Sequence, residues 1–321
     1  MRPTVSVVMS VFNDERYLAE AVHSVLSQEG VSIEFVIVDD GSTDRSPEML
    51  ADFASQDVRV RVMTQANQGL TRALIRGCEE ARGRYIARQD ADDVSLPGRL
   101  ERLAKRLDEN PDVVFVSSWA QRIGPAGEVF GEIRRPAEPA EATRQLLDER
   151  RGPPGHGSVM FRADAYRRVG GYRPEFYYGQ DGDLWLRLGQ DGLIAYEQAM
   201  LYSYRYTPDG ISTSRRPLQR QFGEIARRCL AARREGRPEA GLLARAAALR
   251  EQAMAASSRE RVSRRRVAAA HYQIGAGLRE RRDPRAAGYF WRAVKAHPLH
   301  WRAWLRLAET PFAGKPRRSE S

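Results

Sequence analysis

The chain has 321 residues, 42% hydrophobic and 29% charged, with 12 Tyr, 10 Phe and 5 Trp. That is enough apolar material for one large core or two ordinary ones, and it excludes a disordered, collagen-like or hormone-sized product. The net charge is +10, yet residues 215–321 hold 26 Lys+Arg against 9 Asp+Glu, or +17, leaving residues 1–214 at −7, so a nucleic-acid reading of the global charge describes only the last third.

Residues 4–11, TVSVVMSV, form a β-branched run that predicts a buried strand, ending at Phe12-Asn13-Asp14-Glu15. Leu18, Ala21, Val22, Val25 and Leu26 then recur at helical spacing, and IEFVIV (33–38) is a second strand running into Asp39-Asp40-Gly41-Ser42-Thr43-Asp44. Strand, helix, strand is the βαβ unit of a parallel sheet. The alternation continues with a helix over Ser46–Ser55, a strand over Val58–Met63, a helix over Gly69–Ala81 and a strand over Tyr85–Ala87. In an open α/β sheet the loops at the strands' carboxyl ends share one edge, where ligands bind. Here those loops carry Asn13, Asp14, Asp39, Asp40, Asn67, Asp90, Asp92 and Asp93.

After Pro97 come an amphipathic helix, a strand over Asp112–Ser117 and a Pro/Gly-containing irregular stretch to about Pro154. SVMFR (158–162) predicts a further strand, and DLWLRL (183–188) begins a helix. From Leu218 the chain reads as helical and Ala/Arg-rich, with breaks at Gly236-Arg237-Pro238, Asp283-Pro284 and His297-Pro298. The composition shift places a domain boundary near 210–220, dividing the chain into 1–214 and 215–321. Cys78 and Cys229 have no CxxC companion, so neither a disulfide framework nor a thiolate zinc site is expected. With no spanning-length apolar run and no signal-peptide layout at the start, a cytoplasmic protein is expected.

Three carboxylates in Asp90-Ala91-Asp92-Asp93 repel one another unless a cation or hydrogen-bond donors compensate them. Such oxygen-rich clusters suit Mg²⁺ or Mn²⁺ together with a diphosphate; the plainer reading is an acidic turn that caps the next helix. At Asp39–Asp44 a carboxylate could accept from a nucleobase N–H, or the loop could cap the helix after it.

The segments VSVVMSVFNDERYLAEAVHSVLSQ, EFVIVDDGSTD, NQGLTRALIRG, YIARQDADDVSLPGRLE and GHGSVMFRADAYRRVGGYRPEFYYGQDGDLWLRL resemble, in order and spacing, family 2 glycosyltransferases of the GT-A fold, over roughly residues 4–210. The resemblance implies a Rossmann-like, mostly parallel sheet flanked by helices. Asp90 and Asp92 match the DxD motif that holds the metal, ribose and diphosphate of a nucleotide-sugar, with Asp92 as direct ligand and Asp93 next. Asp39 and Asp40 match the base-recognition position, with Asp40 favoured, and the backbone around Val11 and Phe12, the side chain of Asp14 or Glu15, and Asn67 border the same nucleotide pocket. Asp181 matches the general base of inverting members, with Asp183 the better candidate to cap the helix. His156 and Gln180 fall on the acceptor side. The family usually has Glu at the Gln180 position, which argues against a raised pKa for Asp181, and often His near Thr207, for which Arg205 or Tyr206 would substitute.

Within 267–310, Ala286, Phe290, Ala293 and Pro298 reproduce the spacing of the second helix of a tetratricopeptide repeat. About one repeat is legible, too few for a free-standing stack, so the segment is expected to pack on the catalytic domain or on another chain. Basic runs such as Arg261–Arg266 fit a solvated helical face, contact with the anionic inner leaflet, or nucleic acid, though no base-reading motif accompanies them.

The resulting expectation is an inverting transferase moving a sugar from a nucleoside-diphosphate donor, UDP-linked by preference, to a hydroxyl of a glycan or lipid-linked acceptor, with Mn²⁺ or Mg²⁺. The rival is a non-catalytic scaffold recruiting partners, or a second copy, through its helical region. A sugar nucleotidyltransferase ranks below both, because VFNDERY after the first strand lacks a Gly-rich basic loop.

Overall fold

The computed structural model describes residues 2–208, 210, 215–257 and 263–310. Strands β1 (Val5–Val11), β2 (Ile33–Asp39), β3 (Val60–Thr64) and β4 (Tyr85–Asp90) run parallel in the order β3-β2-β1-β4, with Val5 opposite both Ile33 and Tyr85. Helices α1 (Leu18–Leu26), α2 (Ser46–Gln56) and α3 (Leu70–Glu79) connect them as right-handed crossovers require. Both faces of β1 and β2 are covered, which is why these strands read as continuous apolar runs. The strand period of two still sorts their side chains: Val8 and Val36 join one core cluster with Leu74 and Ile86, whereas Val7, Met9, Phe35 and Ile37 join the other with Leu18 and Val22. Gly77 lets α3 lie close to the sheet, since a Cβ there would come within 2.6 Å of Val8 Cγ1.

The chain continues through β5 (Val94–Ser95), α4 (Arg99–Glu109), β6 (Val113–Ile123), β7 (Val129–Ile133), α5 (Pro139–Glu149), a 3₁₀ turn (His156–Ser158), β8 (Met160–Arg162), α6 (Ala163–Arg168), α7 (Gln180–Asp191) and β9 (Leu193–Arg205). β8 lies antiparallel between β4 and β6, and the sheet goes on to β9 and β5. This half departs most from expectation. The stretch expected to be irregular contains β7 and α5, and β9 was not anticipated, because half-buried residues around Glu197–Met200 interrupt its alternation.

The chain forms two compact units, and they do not divide at a single boundary near 210–220. The first comprises Met1–Ala120, Ile133–Tyr204 and Pro217–Ser258; the second comprises Gln121–Glu132, Arg205–Arg216 and Arg259–Ser321. Nearly all of α8 (Arg216–Arg234), together with α9 (Ala240–Ser257), belongs to the first unit. There Phe222, Ile225, Cys229, Leu230, Ala246 and Ala253 join the cluster that holds Phe176 and Tyr178. For α8 an amphipathic face, not the surface excess of arginine, decides which core the helix joins.

In the second unit the β6–β7 turn meets α10 (Arg264–Glu280), α11 (Ala286–Ala296) and α12 (Trp301–Glu309). Phe130 packs with Ile274, Leu278, Ala286, Tyr289 and Phe290, and the Tyr289 hydroxyl donates to Glu128. The expected breaks at Gly236, Pro284 and Pro298 fall between these helices. Arg261, part of the basic run, lies outside the described residues. Both cysteines are buried and free, and burial pushes the Cys78 thiol up to about 12. No helix among the described residues is long and apolar enough to cross a membrane.

Candidate active site

The first two loops are tied together through Asn13, which adopts a φ of 57°, in the left-handed region that Asn tolerates better than most residues. Its Oδ1 accepts from the N–H groups of Thr43 (2.8 Å) and Asp44 (3.3 Å), while its own N–H donates to Ser42 Oγ at 3.0 Å. The Asp14 and Glu15 N–H groups donate to Ser46 Oγ (3.1 Å) and Asp44 Oδ2 (3.0 Å). The Val11 carbonyl accepts from Asp40 N–H at 2.8 Å. Asp39 closes its turn on Ser42 N–H at 3.0 Å. Asp40 is 2% exposed and reaches into the third loop: Oδ1 accepts from Gln65 Nε2 (2.7 Å) and Gln68 N–H (2.9 Å), and Oδ2 from Gly69 N–H (2.8 Å). A carboxylate offers about four acceptor sites, so one on Oδ2 remains beyond these three. Neither residue caps α2, whose N-cap is Arg45; just before it Asp44 accepts from Ser46 N–H at 2.9 Å. Asn67 sits exposed on the third loop.

The fourth loop starts from Asp90, whose Oδ1 pairs with Arg88 Nη2 at 2.8 Å. The Arg88 guanidinium is wholly buried and also donates to the carbonyls of Val8 and Gln89. Asp92 is half-buried and Asp93 is 1% exposed. None of the three caps α4, whose N-cap is Gly98, so the capping reading of this loop does not hold. Beneath the loop Arg99 is completely buried and donates to Ser95 Oγ (2.7 Å) and to the carbonyls of Arg88 (2.8 Å) and Gly157 (2.6 Å). It lies over the Tyr202 ring at 4.8 Å, and burial pulls its pKa down to about 10. A Cβ on Gly157 would collide with the Tyr202 hydroxyl. Gly157→Ala should therefore cost about 1–3 kcal/mol, read as a lowered urea midpoint, and also disturb the loop, because the Asp90 N–H faces the same hydroxyl.

Asp181 lies in the first turn of α7, which begins at Gln180, earlier than the sequence suggested; its Oδ1 accepts from Gly182 N–H at 2.8 Å. Its pKa is raised, first by burial and then by the Asp90 carboxylate. The expectation that Gln180 would keep it ordinary is thus corrected: the neighbouring charge comes from β4, not from position 180. Asp14 is pushed up to about 6 by burial, with Asp44 and Asp90 adding to the effect. Asp90 therefore acts on carboxylates from two other elements. Gln180 itself is buried.

His156 Nε2 stands 2.6 Å from the Tyr172 hydroxyl and 3.4 Å from Arg88 Nε. Burial, then Arg88, hold its pKa well below 6.5, so the imidazole is neutral; the two donors place its proton on Nδ1, an assignment made from the hydrogen-bond network. Trp185 packs edge-on against His156 and belongs to the core. Asp183 is not the helix cap. It is 1% exposed and pairs with Arg187 Nη2 at 2.6 Å and Arg173 Nη1 at 3.5 Å, while Gly179 takes the N-cap position. Arg205 and Tyr206 belong to the second unit, where Arg205 donates to the Gly124 carbonyl at 3.2 Å and Tyr206 packs on Phe130.

Among the described residues no three His, Cys, Asp or Glu side chains form a ready-made metal cage. One or two carboxylates at the 90–93 loop, completed by water and phosphate oxygens, are what Mg²⁺-type ions use in phosphate chemistry, and the donor set fits that arrangement. Sequence reasoning missed Arg88, Arg99, Tyr172 and Tyr202. Nothing in an Arg-rich sequence distinguishes the two buried guanidiniums from their exposed counterparts.

The chain is similar to EpsE of Bacillus subtilis, a protein named for glycosyltransferase activity, at 34% identity over 216 residues, 64% of this chain and 74% of that one. It is also similar to Glycosyltransferase GlyG of Streptococcus pneumoniae, at 38% over 120 residues, 37% and 40% of the respective chains. Among solved structures, Staphylococcus aureus TarS 1-349 superposes with a TM-score of 0.56 at 14% identity, covering 94% of this chain and 91% of that chain. The mannosyltransferase PcManGT of Pyrobaculum calidifontis, solved with GDP-Man and Mn²⁺, gives 0.55 at 18%, covering 97% and 85%. These two establish the GT-A-like fold. The profile of Glycosyl transferase family 2 matches residues 6–170, and the chain belongs to that family of sugar-transferring enzymes.

Proposed function

We propose that the enzyme transfers a sugar from a nucleoside diphosphate to an acceptor hydroxyl with inversion at the anomeric carbon, with Asp181 as general base. The observation that carries this reading is the electrostatic meeting of Asp14, Asp90 and Asp181, which come from the β1–α1 loop, the end of β4 and the start of α7. In this reading the remaining Oδ2 site of Asp40 receives a base N–H, with Asp39, Val11 and Asn67 beside it. Asp90 and Asp92 face the ribose and diphosphate. Asp92 suits a metal better than the more deeply buried Asp93. A bound Mn²⁺ or Mg²⁺ would neutralise the charge that develops on the departing diphosphate.

The acceptor O–H gives its proton to Asp181 as its oxygen bonds to the anomeric carbon and the bond to the diphosphate oxygen breaks. A carboxylate with a raised pKa is a stronger base for this transfer, provided it remains ionised at working pH. His156, neutral and fixed by Tyr172, would contact the acceptor side together with Gln180. UDP is favoured as the nucleotide: TarS 1-349 has been solved with UDP and with UDP-GlcNAc. The acceptor would be a glycan or lipid-linked hydroxyl.

UDP with Mn²⁺ should raise the melting temperature well beyond either alone, because the described residues offer the ion no ready-made cage and phosphate oxygens would complete its shell. At a hundredfold excess over Kd, ligation adds about 2.7 kcal/mol. A panel of UDP-, GDP- and dTDP-sugars, assayed for metal-dependent release of free nucleotide, then identifies the donor. Absence of both stabilisation and release across the panel would sink the proposal.

A further inference from the structure

We infer that the exposed surface at the turn between α11 and α12 and on the flanking helices docks on an anionic lipid surface. Five large apolar side chains are exposed there: Leu299 (82%), Trp301 (66%), Leu305 (49%), Trp304 (48%) and Trp291 (40%). Trp291 and Trp304 meet edge-to-face at 6.3 Å, and Trp304 Nε1 donates to the Pro298 carbonyl at 2.9 Å, so these two indoles are joined to the turn. An exposed apolar cluster of this kind marks an interaction surface.

Cations border it. Lys295 Nζ lies 5.4 Å over the Trp291 ring, the Arg302 guanidinium lies 5.3 Å over Trp301, and Arg265 Nε donates to His297 Nε2 at 3.1 Å, at the edge of the same turn. Among the described residues none of these three forms an ion pair, whereas Arg279 and Arg306 pair with Glu309, and Arg285 pairs with Asp283. Across residues 264–310 there are 11 Lys+Arg against 3 Asp+Glu, or +8. Indoles and leucines seated at headgroup depth, with long cationic side chains reaching lipid phosphates, are what an interfacial anchor requires. A second copy fits less well, because a two-fold pairing would set these cations against their own equivalents. Leu299 and Leu305 offer nucleobases nothing to stack on.

The test is sedimentation of the full chain with vesicles of phosphatidylcholine alone or mixed with phosphatidylglycerol. Binding should be at least tenfold stronger to the anionic vesicles. Leu299→Ser with Trp301→Ser should reduce it more than tenfold, and Lys295→Gln and Arg302→Gln should each reduce it about fivefold. Circular dichroism and nucleotide-sugar hydrolysis should be unchanged in all variants. Equal binding to both vesicle types, indifference to the double variant, a dimer that the double variant dissolves, or Trp301-dependent binding of single-stranded oligonucleotide without vesicle binding would each overturn the inference.

Discussion

Asp181→Asn should lower sugar transfer by about 10²–10⁴-fold, the range lost with a general base, while UDP affinity stays within about twofold of the parent. The substitution is nearly isosteric, and the Asn carbonyl can still accept from Gly182 N–H. Stability should hold or rise. Because burial and Asp90 raise the Asp181 pKa above 3.8, the native state disfavours its ionised form, and at neutral pH the unfolded chain carries that charge more easily. Removing the charge removes that penalty. The same shift sets the pH profile: the base must be unprotonated, so kcat/KM should fall as pH drops, through an apparent pKa above 3.8, and the variant should lose this acid limb. Transfer kept near parental levels, or lost only in proportion to nucleotide binding, would remove Asp181 from the base role.

Two residues along the same helix, the opposite result is expected. Asp183→Ala should destabilise the first unit by about 3–5 kcal/mol, measured by urea denaturation, because it leaves Arg187 buried without its counter-charge and takes from Arg173 one of its two carboxylates. Transfer per folded molecule should be close to parental, since Asp183 is 1% exposed and committed to guanidiniums. The pair of variants thus separates chemistry from architecture within a single turn.

The parallel half of the fold was legible because β1, β2 and β4 are buried on both faces and each of its helices carries an apolar stripe. Val5–Val11 and Ile33–Asp39 could hardly be read otherwise. β9 was not legible: thirteen residues long, it passes from buried to half-exposed and back, so no single period describes it. The acidic loops were visible as candidate ligand groups, but their internal commitments were not. That Asp40 spends three acceptor sites on the third loop, and that Asp183 holds two arginines, depends on residues distant in sequence. Arg88 illustrates the limit. A buried cation beside Asp90 is decisive for the local field, yet in the sequence it looks like any other residue of an arginine-rich chain.

The second unit is assembled from segments far apart in the chain, and this bears on its birth at the ribosome. Its Gln121–Glu132 segment, carrying Glu128 and Phe130, is synthesised roughly 180 residues before α12 is complete, a delay of about 10–35 s at ordinary elongation rates. For most of that interval Phe130 lacks the tyrosine and phenylalanine of α11 that later enclose it. Nascent chains therefore pass through a window in which this segment is sticky, and a chaperone that shields it should improve the yield of finished enzyme.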